Sequence, residues 1–176
     1  MTLANDSAFE TEEFESFPPP PQQLMTEDEF EHWVFRQAEG NYEWVDGRVL
    51  MMSPADDLHD DLDGWLAALL RIYAEQKDLG IVRSDMMFRI SGRRRVPDVL
   101  FLGKAKLSQL KPKRIEGPPD LAIEIVSPRS EALDWREKYI EYQSAGVKEY
   151  WVIDPRVQAI ECYSLNDAGQ YVQIPE

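Results

Sequence analysis

Two apolar runs that each contain one acidic residue constrain the fold of this chain most strongly. Residues 96–102 (VPDVLFL) and 121–127 (LAIEIVS) have the length and composition of buried β-strands. Since side chains alternate across a strand, Asp98 and Glu124 each lie in a row of apolar neighbours. An unpaired buried carboxylate costs several kcal/mol. Two of them in nearly consecutive core strands therefore predict a compensating positive charge.

A divalent metal ion is one source of that charge. Mg²⁺ prefers oxygen ligands and keeps water in its remaining positions, so two carboxylates suffice to hold it. A single acid inside a strand is more often paired with arginine or placed at a strand end. The metal prediction therefore depends on Asp98 and Glu124 together.

Lys138 supplies a second candidate charge. It lies on the flank of the apolar stripe of Trp135, Tyr139 and Tyr142 in the helix predicted over 132–144. One interpretation is a surface pair with Asp134, worth about 0.3–0.5 kcal/mol. The other is that its ammonium reaches Glu124, where it orients an attacking water or stabilises the charge that develops on a phosphoryl group.

The composition predicts one α/β domain preceded by a leader. The chain has 176 residues, enough for one domain of ordinary size. Residues 1–24 are acidic and end in a proline run, which predicts a disordered leader before a domain over 25–176. The single cysteine excludes an intramolecular disulfide. The absence of a signal peptide or a long apolar run predicts a cytoplasmic protein with no membrane span.

The order of predicted elements is αββαβββαβββ, which indicates a mixed sheet flanked by helices. A capping box at Thr26 starts the first helix, and Asp46-Gly47 forms a hairpin turn. The predicted elements are a helix from Thr26, strands 42–45 and 48–52, a helix from after Pro54 to about Tyr73, strands 81–90, 95–102 and 120–126, a helix over 132–144, strands in KEYWVID and AIECYS, and a short strand near Tyr171.

The net charge of −14 is unevenly distributed. Residues 1–32 contain nine acids and no lysine or arginine, whereas Arg89 to Arg114 contain nine basic residues and one acid, Asp98. Local charge decides where a polyanion binds. For the basic run alone, a solvated loop is the favoured interpretation. The candidates for contacts with a nucleic-acid backbone are Arg93, Arg94, Arg95, Lys104 and Lys106.

Several motifs in order resemble the Uma2-like family of nucleases, in the PD-(D/E)xK superfamily. They are NYEWVDGRVLMMSP, His59 ahead of a helix, VPDVLF, PDLAIEIVSP and DWREKYIEYQSAGVKEYWVIDP, and the resemblance covers residues 25–165. Pro97-Asp98 matches the first superfamily element. Glu124-Ile125-Val126 departs from the second, because Val126 stands where the superfamily has lysine. In Uma2-like sequences a helical lysine substitutes, which corresponds to Lys138.

The resemblance implies a restriction endonuclease-like fold and hydrolysis of phosphodiester bonds, in DNA rather than RNA. It implies Mg²⁺, or Mn²⁺ in its place, bound by Asp98, Glu124 and the Ile125 carbonyl. Glu43 is implied as an accessory carboxylate, and His59 is a weaker candidate for contact with phosphate or water. A homodimer would suit cleavage of both strands of a duplex, and the aromatic-rich C-terminal segment is either core or a dimer face.

Two other functions fit parts of the sequence. The same fold serves as a binding module with weak or no catalysis, which the acidic composition favours and the buried charges disfavour. A glycosidase that uses the two carboxylates leaves the basic run and the motif order unexplained.

Overall fold

The computed structural model describes residues 19–37, 41–52, 57–127, 130 and 133–175. Its helices are α1 (Glu27–Val34), α2 (Asp57–Gln76) and α3 (Tyr139–Ala145), with a 3-10 helix at Lys104–Gln109 and a π-helix at Leu133–Lys138 that runs into α3. Its strands are β1 (Tyr42–Val45), β2 (Arg48–Met51), β3 (Gly80–Ser84), β4 (Met87–Ile90), β5 (Arg93–Arg95), β6 (Val99–Gly103), β7 (Leu110–Lys111), β8 (Arg114–Ile115), β9 (Leu121–Ile125), β10 (Glu149–Asp154), β11 (Ala159–Leu165) and β12 (Tyr171–Gln173). Most of the predicted leader lies outside the described residues.

Local sequence signals produce the first elements as predicted. The Thr26 hydroxyl accepts a hydrogen bond from the Glu29 amide, and the Glu29 carboxylate accepts one from the Thr26 amide, which completes the capping box. Asp46 and Gly47 both have positive φ, 48° and 91°. That geometry is required by the two-residue turn between β1 and β2.

The strands form two six-stranded sheets. The first has the order β2-β1-β5-β4-β8-β7 and the second the order β12-β11-β10-β9-β6-β3. The predicted α/β class is confirmed, and the expected sheet is divided in two. Both sheets are mixed, because β4 pairs with β8 and β9 pairs with β10 in parallel.

The chain crosses between the sheets at two points where single strands were predicted. The predicted strand 81–90 is broken at Asp85, whose φ of 49° is left-handed. The predicted strand 95–102 is broken before β6, at Pro97, which has no amide hydrogen for a strand ladder. The Asp85 amide donates to the Asp98 carbonyl at 3.2 Å, so the two crossings are joined.

Helices cover both faces of the second sheet. Leu121 and Ile123 of β9 pack toward α2, whereas Ala122 and Val126 belong to the cluster that contains Tyr142 of α3. The predicted alternation is therefore confirmed, and it places Glu124 on the α3 side. Helix α1 packs on the first sheet through Phe30. No helix in the described part of the chain has the length and apolarity to cross a membrane.

Candidate active site

The candidate site lies where the chain crosses from one sheet to the other. Asp98 immediately precedes β6 and Glu124 lies near the end of β9. The Ile125 amide donates to Asp98 Oδ2 at 2.6 Å, so the Asp98 side chain is held beside the end of β9. Because of the break at Pro97, Asp98 is half-buried at the junction and not inside a strand. The role predicted for the Ile125 carbonyl stays a prediction.

Both carboxylate oxygens of Glu124 accept hydrogen bonds, one from the π-helix and one from α3. Its side chain is buried, and Lys138 Nζ donates to Oε2 at 2.6 Å. The Tyr142 hydroxyl donates to Oε1 at 2.6 Å. Lys138 therefore reaches back over the sheet to Glu124, and the alternative of a surface pair with Asp134 is excluded by burial of the lysine.

Lys138 is surrounded by three carboxylates. Besides Glu124, its Nζ lies 3.1 Å from Asp134 Oδ1 and 3.6 Å from Glu43 Oε1, and all four side chains are buried. Burial favours the neutral amine, but the negative charges of Glu124, Glu43 and Asp134 outweigh it and raise the pKa of Lys138 well above its usual range. The lysine is therefore a fixed ammonium.

Glu43 joins the first sheet to this cluster. It is fully buried on β1; Arg95 Nη1 donates to its Oε2 at 2.6 Å and the Val96 amide donates to its Oε1 at 3.0 Å. The Arg95 guanidinium also donates two bonds of 2.8 Å to Glu141 of α3. Bidentate pairing of this kind fixes geometry as well as charge, so Arg95 locks β1 and α3 together around the site.

The cluster holds more negative than positive charge. Burial raises the pKa of Glu124 well above its usual range; the charge of Lys138 opposes this rise, and Asp134, Asp98 and Glu43 add to it. Burial likewise raises the pKa of Asp134, with Lys138 opposing and Asp98 adding to the rise. Carboxylates with raised pKa values mark a place where a further cation is electrostatically favourable.

A second group of polar side chains, on α2, lies beside Asp98. His59 Nε2 of α2 is 3.5 Å from Asp98 Oδ1. A hydrogen bond to Asp98 raises the pKa of His59 despite partial burial. Partial burial and the charges of Asp98 and Asp85 raise the pKa of Asp63 to about 6. His59 was the weakest of the site residues predicted from the sequence, and the structure brings it next to Asp98.

The donor set suits a divalent cation. Among the described residues, no three His, Cys, Asp or Glu side chains converge as a ready-made ligand set. The carboxylate oxygens of Asp98 and Glu124 are hard ligands, and each oxygen that accepts one hydrogen bond has a second lone pair. With the surplus negative charge around them, Asp98 and Glu124 fit Mg²⁺ or Mn²⁺ chemically.

The basic run does not form an open cationic surface. Arg94 is buried against Glu27 and Glu31, and Arg95 is buried against Glu43 and Glu141. The prediction that these two contact nucleic acid is corrected, because neither guanidinium is accessible. The other three candidates also have acidic partners: Arg93 contacts Asp46 and Glu141, Lys104 contacts Asp78, and Lys106 contacts Asp120.

Sequence reasoning missed three members of the cluster. Asp134 and Tyr142 lie four residues before and after Lys138, so one helical face carries all three. That spacing was a usable signal, but Tyr142 was assigned to the apolar stripe. Glu141 gave no signal of its own, because its burial depends on Arg95 from a distant strand.

Glu43 of the first sheet, Glu124 of the second sheet and Lys138 of the π-helix meet at the junction of an α/β core. A family model named Uma2, described as "Putative restriction endonuclease", matches residues 27–175. The chain therefore belongs to the Uma2 family, and the predicted family and fold class are confirmed.

Similarity to solved structures agrees with this assignment. The crystal structure of "a putative nuclease belonging to DUF820 from Anabaena variabilis ATCC 29413" matches with a TM-score of 0.70 and 18% sequence identity, over 89% of this chain and 86% of that one. At this identity the similarity establishes the fold. No curated protein matches the chain.

Proposed function

We propose that this protein is a metal-dependent nuclease that hydrolyses phosphodiester bonds, with DNA as the substrate. The observation that carries the proposal is the contact between Glu124 and Lys138, 2.6 Å apart and both buried, beside Asp98. Replacement of a buried ion pair by apolar side chains of similar volume is often neutral or stabilising, so stability alone is a weak reason to keep this pair. Membership of the Uma2 family adds support.

Asp98, Glu124 and the Ile125 carbonyl are the proposed ligands of Mg²⁺. When bound, the ion supplies a Lewis acid that polarises the phosphoryl oxygen and acidifies a water ligand. Lys138 orients that water or stabilises charge on the phosphoryl oxygens. Arg95 holds Glu43 in place as an accessory carboxylate, and His59 lies where it can contact phosphate or water.

The proposal also covers the domain bounds, the cellular location, the oligomeric state and the contacts with nucleic acid. The catalytic domain comprises residues 25–176, and the protein acts in the cytoplasm as a homodimer. Lys104 has the most exposed side chain among the basic candidates, about half of it being accessible to solvent. The remaining candidates for contact with the nucleic-acid phosphate backbone are Lys104, Lys106 and Arg93. Such contacts contribute affinity but no sequence specificity.

The test measures Mg²⁺ binding by calorimetry and DNA cleavage in Mg²⁺ or Mn²⁺. The variants are Asp98→Asn and Glu124→Gln, with Asp154→Asn as a control, since Asp154 is a buried, ion-paired carboxylate outside the site. We expect the site variants to lose metal binding and cleavage, and the control to keep both.

Two results would contradict the proposal. Cleavage that persists in both site variants would end this mechanism. Nucleic-acid binding without cleavage or metal binding in the wild type would favour the binding module. Circular dichroism of each variant checks that the fold is kept.

A further inference from the structure

Helix α2 carries a second apolar face that the fold leaves uncovered. Its inner face packs Ala67 and Ala74 against the second sheet. On its outer side, five large apolar residues are between 45% and 61% exposed: Leu58, Trp65, Leu69, Ile72 and Tyr73. We call these five the outer stripe. The apolar residues of α2 therefore lie on two faces of the helix, and the fold buries only one of these faces.

The spacing of the outer stripe is that of a helix-pairing seam. Steps of seven, four and three residues connect Leu58, Trp65, Leu69 and Ile72, which is the repeat of core positions in a two-stranded coiled coil. At about 1.5 Å per residue the stripe is roughly 22 Å long. Contiguous exposed apolar surface of this kind marks an interaction site, and its spacing fits another helix with the same repeat.

We propose that the outer stripe binds the α2 helix of a second copy of this protein, with the two helices antiparallel about a two-fold axis. A second copy presents the same seam, so the contact is self-complementary and closed. This inference rests on the homodimer proposed above, whose interface it names, and it does not depend on the proposed nuclease activity.

The charges at the ends of α2 favour the antiparallel direction. The first turns carry three exposed acids, Asp57, Asp60 and Asp61. The C-terminal part of α2 and the two residues after it carry the exposed cations Arg71 and Lys77 together with the exposed acids Glu75 and Asp78, so this end has no net charge. A parallel pair would gather six acids at one end. The antiparallel pair separates them and places each acidic end beside the partner's C-terminal end, which has no net charge.

The contact area predicts a dimer of modest affinity. One face of a single helix buries less surface than the ~800 Å² per partner of a standard interface. We therefore expect a concentration-dependent equilibrium between monomer and dimer and not an obligate dimer.

Sedimentation velocity over a hundredfold range of concentration, on the full chain, tests the proposal. The variants are Ile72→Glu in the stripe and Ile140→Glu as its matched control, because both isoleucines lie on helices and are exposed by 54% and 61%. We expect wild type and Ile140→Glu to dimerise and Ile72→Glu to stay monomeric, with equal melting temperatures for the two variants at low concentration. A monomeric wild type, or a dimer that both variants retain, would overturn the proposal.

Disulfide trapping tests the direction of the pair. In a Cys162→Ser background, Leu58→Cys alone should form no covalent dimer, because the two copies of residue 58 lie at opposite ends. A mixture of Leu58→Cys and Ile72→Cys chains should form one under mild oxidation. Efficient trapping of Leu58→Cys with itself would overturn the antiparallel arrangement.

Discussion

At the scale of single residues, the Glu124 carboxylate is held by two donors of different kinds. Lys138 supplies charge to Oε2, whereas Tyr142 supplies a neutral hydroxyl to Oε1, each at 2.6 Å. Hydrogen bonds to a metal ligand fix its orientation, and their removal typically lowers metal affinity by 10–100-fold. Tyr142 therefore has a role in the proposed site that its neighbour Tyr150 does not have.

We predict that Tyr142→Phe lowers Mg²⁺ affinity about tenfold, because Glu124 loses one of its two orienting bonds. Tyr150→Phe is the matched control: this tyrosine is also buried and packs edge-on against Tyr142, but its hydroxyl donates to the Asp134 carbonyl. Each variant should cost about 1–3 kcal/mol of folding stability. Calorimetry and chemical unfolding separate the two effects. Equal loss of affinity in both variants would contradict the assigned role of Tyr142.

Asp63 is predicted to make stability depend on pH. Partial burial and the charge of Asp98 raise its pKa to about 6, from 3.8 in an ordinary environment. Asp63 therefore ionises at a lower pH in the unfolded chain than in the folded protein. The free energy of unfolding decreases as pH rises between these two pKa values and is then constant with respect to this group.

Asp63→Asn should remove that decrease. We expect a gain of about 1 kcal/mol well above pH 6, after allowance for solvent screening of a half-buried group, and no gain near pH 3. Urea unfolding in chelator across this range measures it. Asp61→Asn, at an exposed position of the same helix, is the control for removing one negative charge, and a pH-independent difference for Asp63→Asn would contradict the prediction.

The principal acids and the lysine could be predicted from sequence because a charge inside an apolar row is conspicuous. The burial of Asp134 could not, since an i,i+4 pair with Lys138 looks the same on a surface and in a core. Arg95 was misassigned for a related reason. Its neighbours in sequence are basic, whereas its partners, Glu43 and Glu141, come from elements 52 and 46 residues away.

At the scale of elements, most helices and strands follow from periodicity and turn residues. The breaks at Asp85 and Pro97 did not, because Ser84-Asp85 and Pro97-Asp98 interrupt runs that become apolar again directly afterwards. Only tertiary pairing decides that β3 and β6 belong to a different sheet from β4 and β5. The two-residue strands β7 and β8 lie between the predicted strands 95–102 and 120–126, where no element was predicted. Strands this short leave no periodic signal.

Substitution of glycine by alanine is predicted to have opposite effects on stability inside α2 and at the C-terminal cap of α3. Gly64 lies inside α2 with open space around the position of a Cβ atom. We predict that Gly64→Ala stabilises the fold by about 0.5–1 kcal/mol, because alanine restricts the unfolded chain and favours helix.

Gly146 supplies the control for Gly64. It also has open space, but it caps α3 with a φ of 82°. Gly146→Ala should therefore destabilise by about 1 kcal/mol through backbone strain alone. Thermal and urea unfolding compare the two variants, and a change of the same sign in both would contradict this reasoning.

At the scale of the whole molecule, most of the basic run is paired with acids within the fold, and the surplus charge of the chain is negative. Seven of the nine basic residues between Arg89 and Arg114 contact acids within the structure. The basic run therefore contributes to the junction of the two sheets more than to a polyanion-binding surface. The net charge of −14 must weaken nonspecific binding of nucleic acid at long range.

Residues 1–18 contribute to that repulsion, and their removal is predicted to strengthen binding. They contain five acids and no lysine or arginine, so a chain that begins at residue 19 has a net charge of −9. We expect the shortened chain to bind short duplex DNA several-fold more tightly at low ionic strength, in the absence of divalent metal. The difference should shrink at physiological salt, where the screening length falls to about 8 Å.

A variant of full length with these five acids changed to Asn or Gln separates charge from excluded volume. Fluorescence anisotropy at several salt concentrations compares the three proteins. If charge is the cause, the neutralised and shortened chains bind alike and both converge on the wild type as salt rises. Tighter binding by the shortened chain alone, independent of salt, would instead mean that the leader blocks the DNA surface by its bulk.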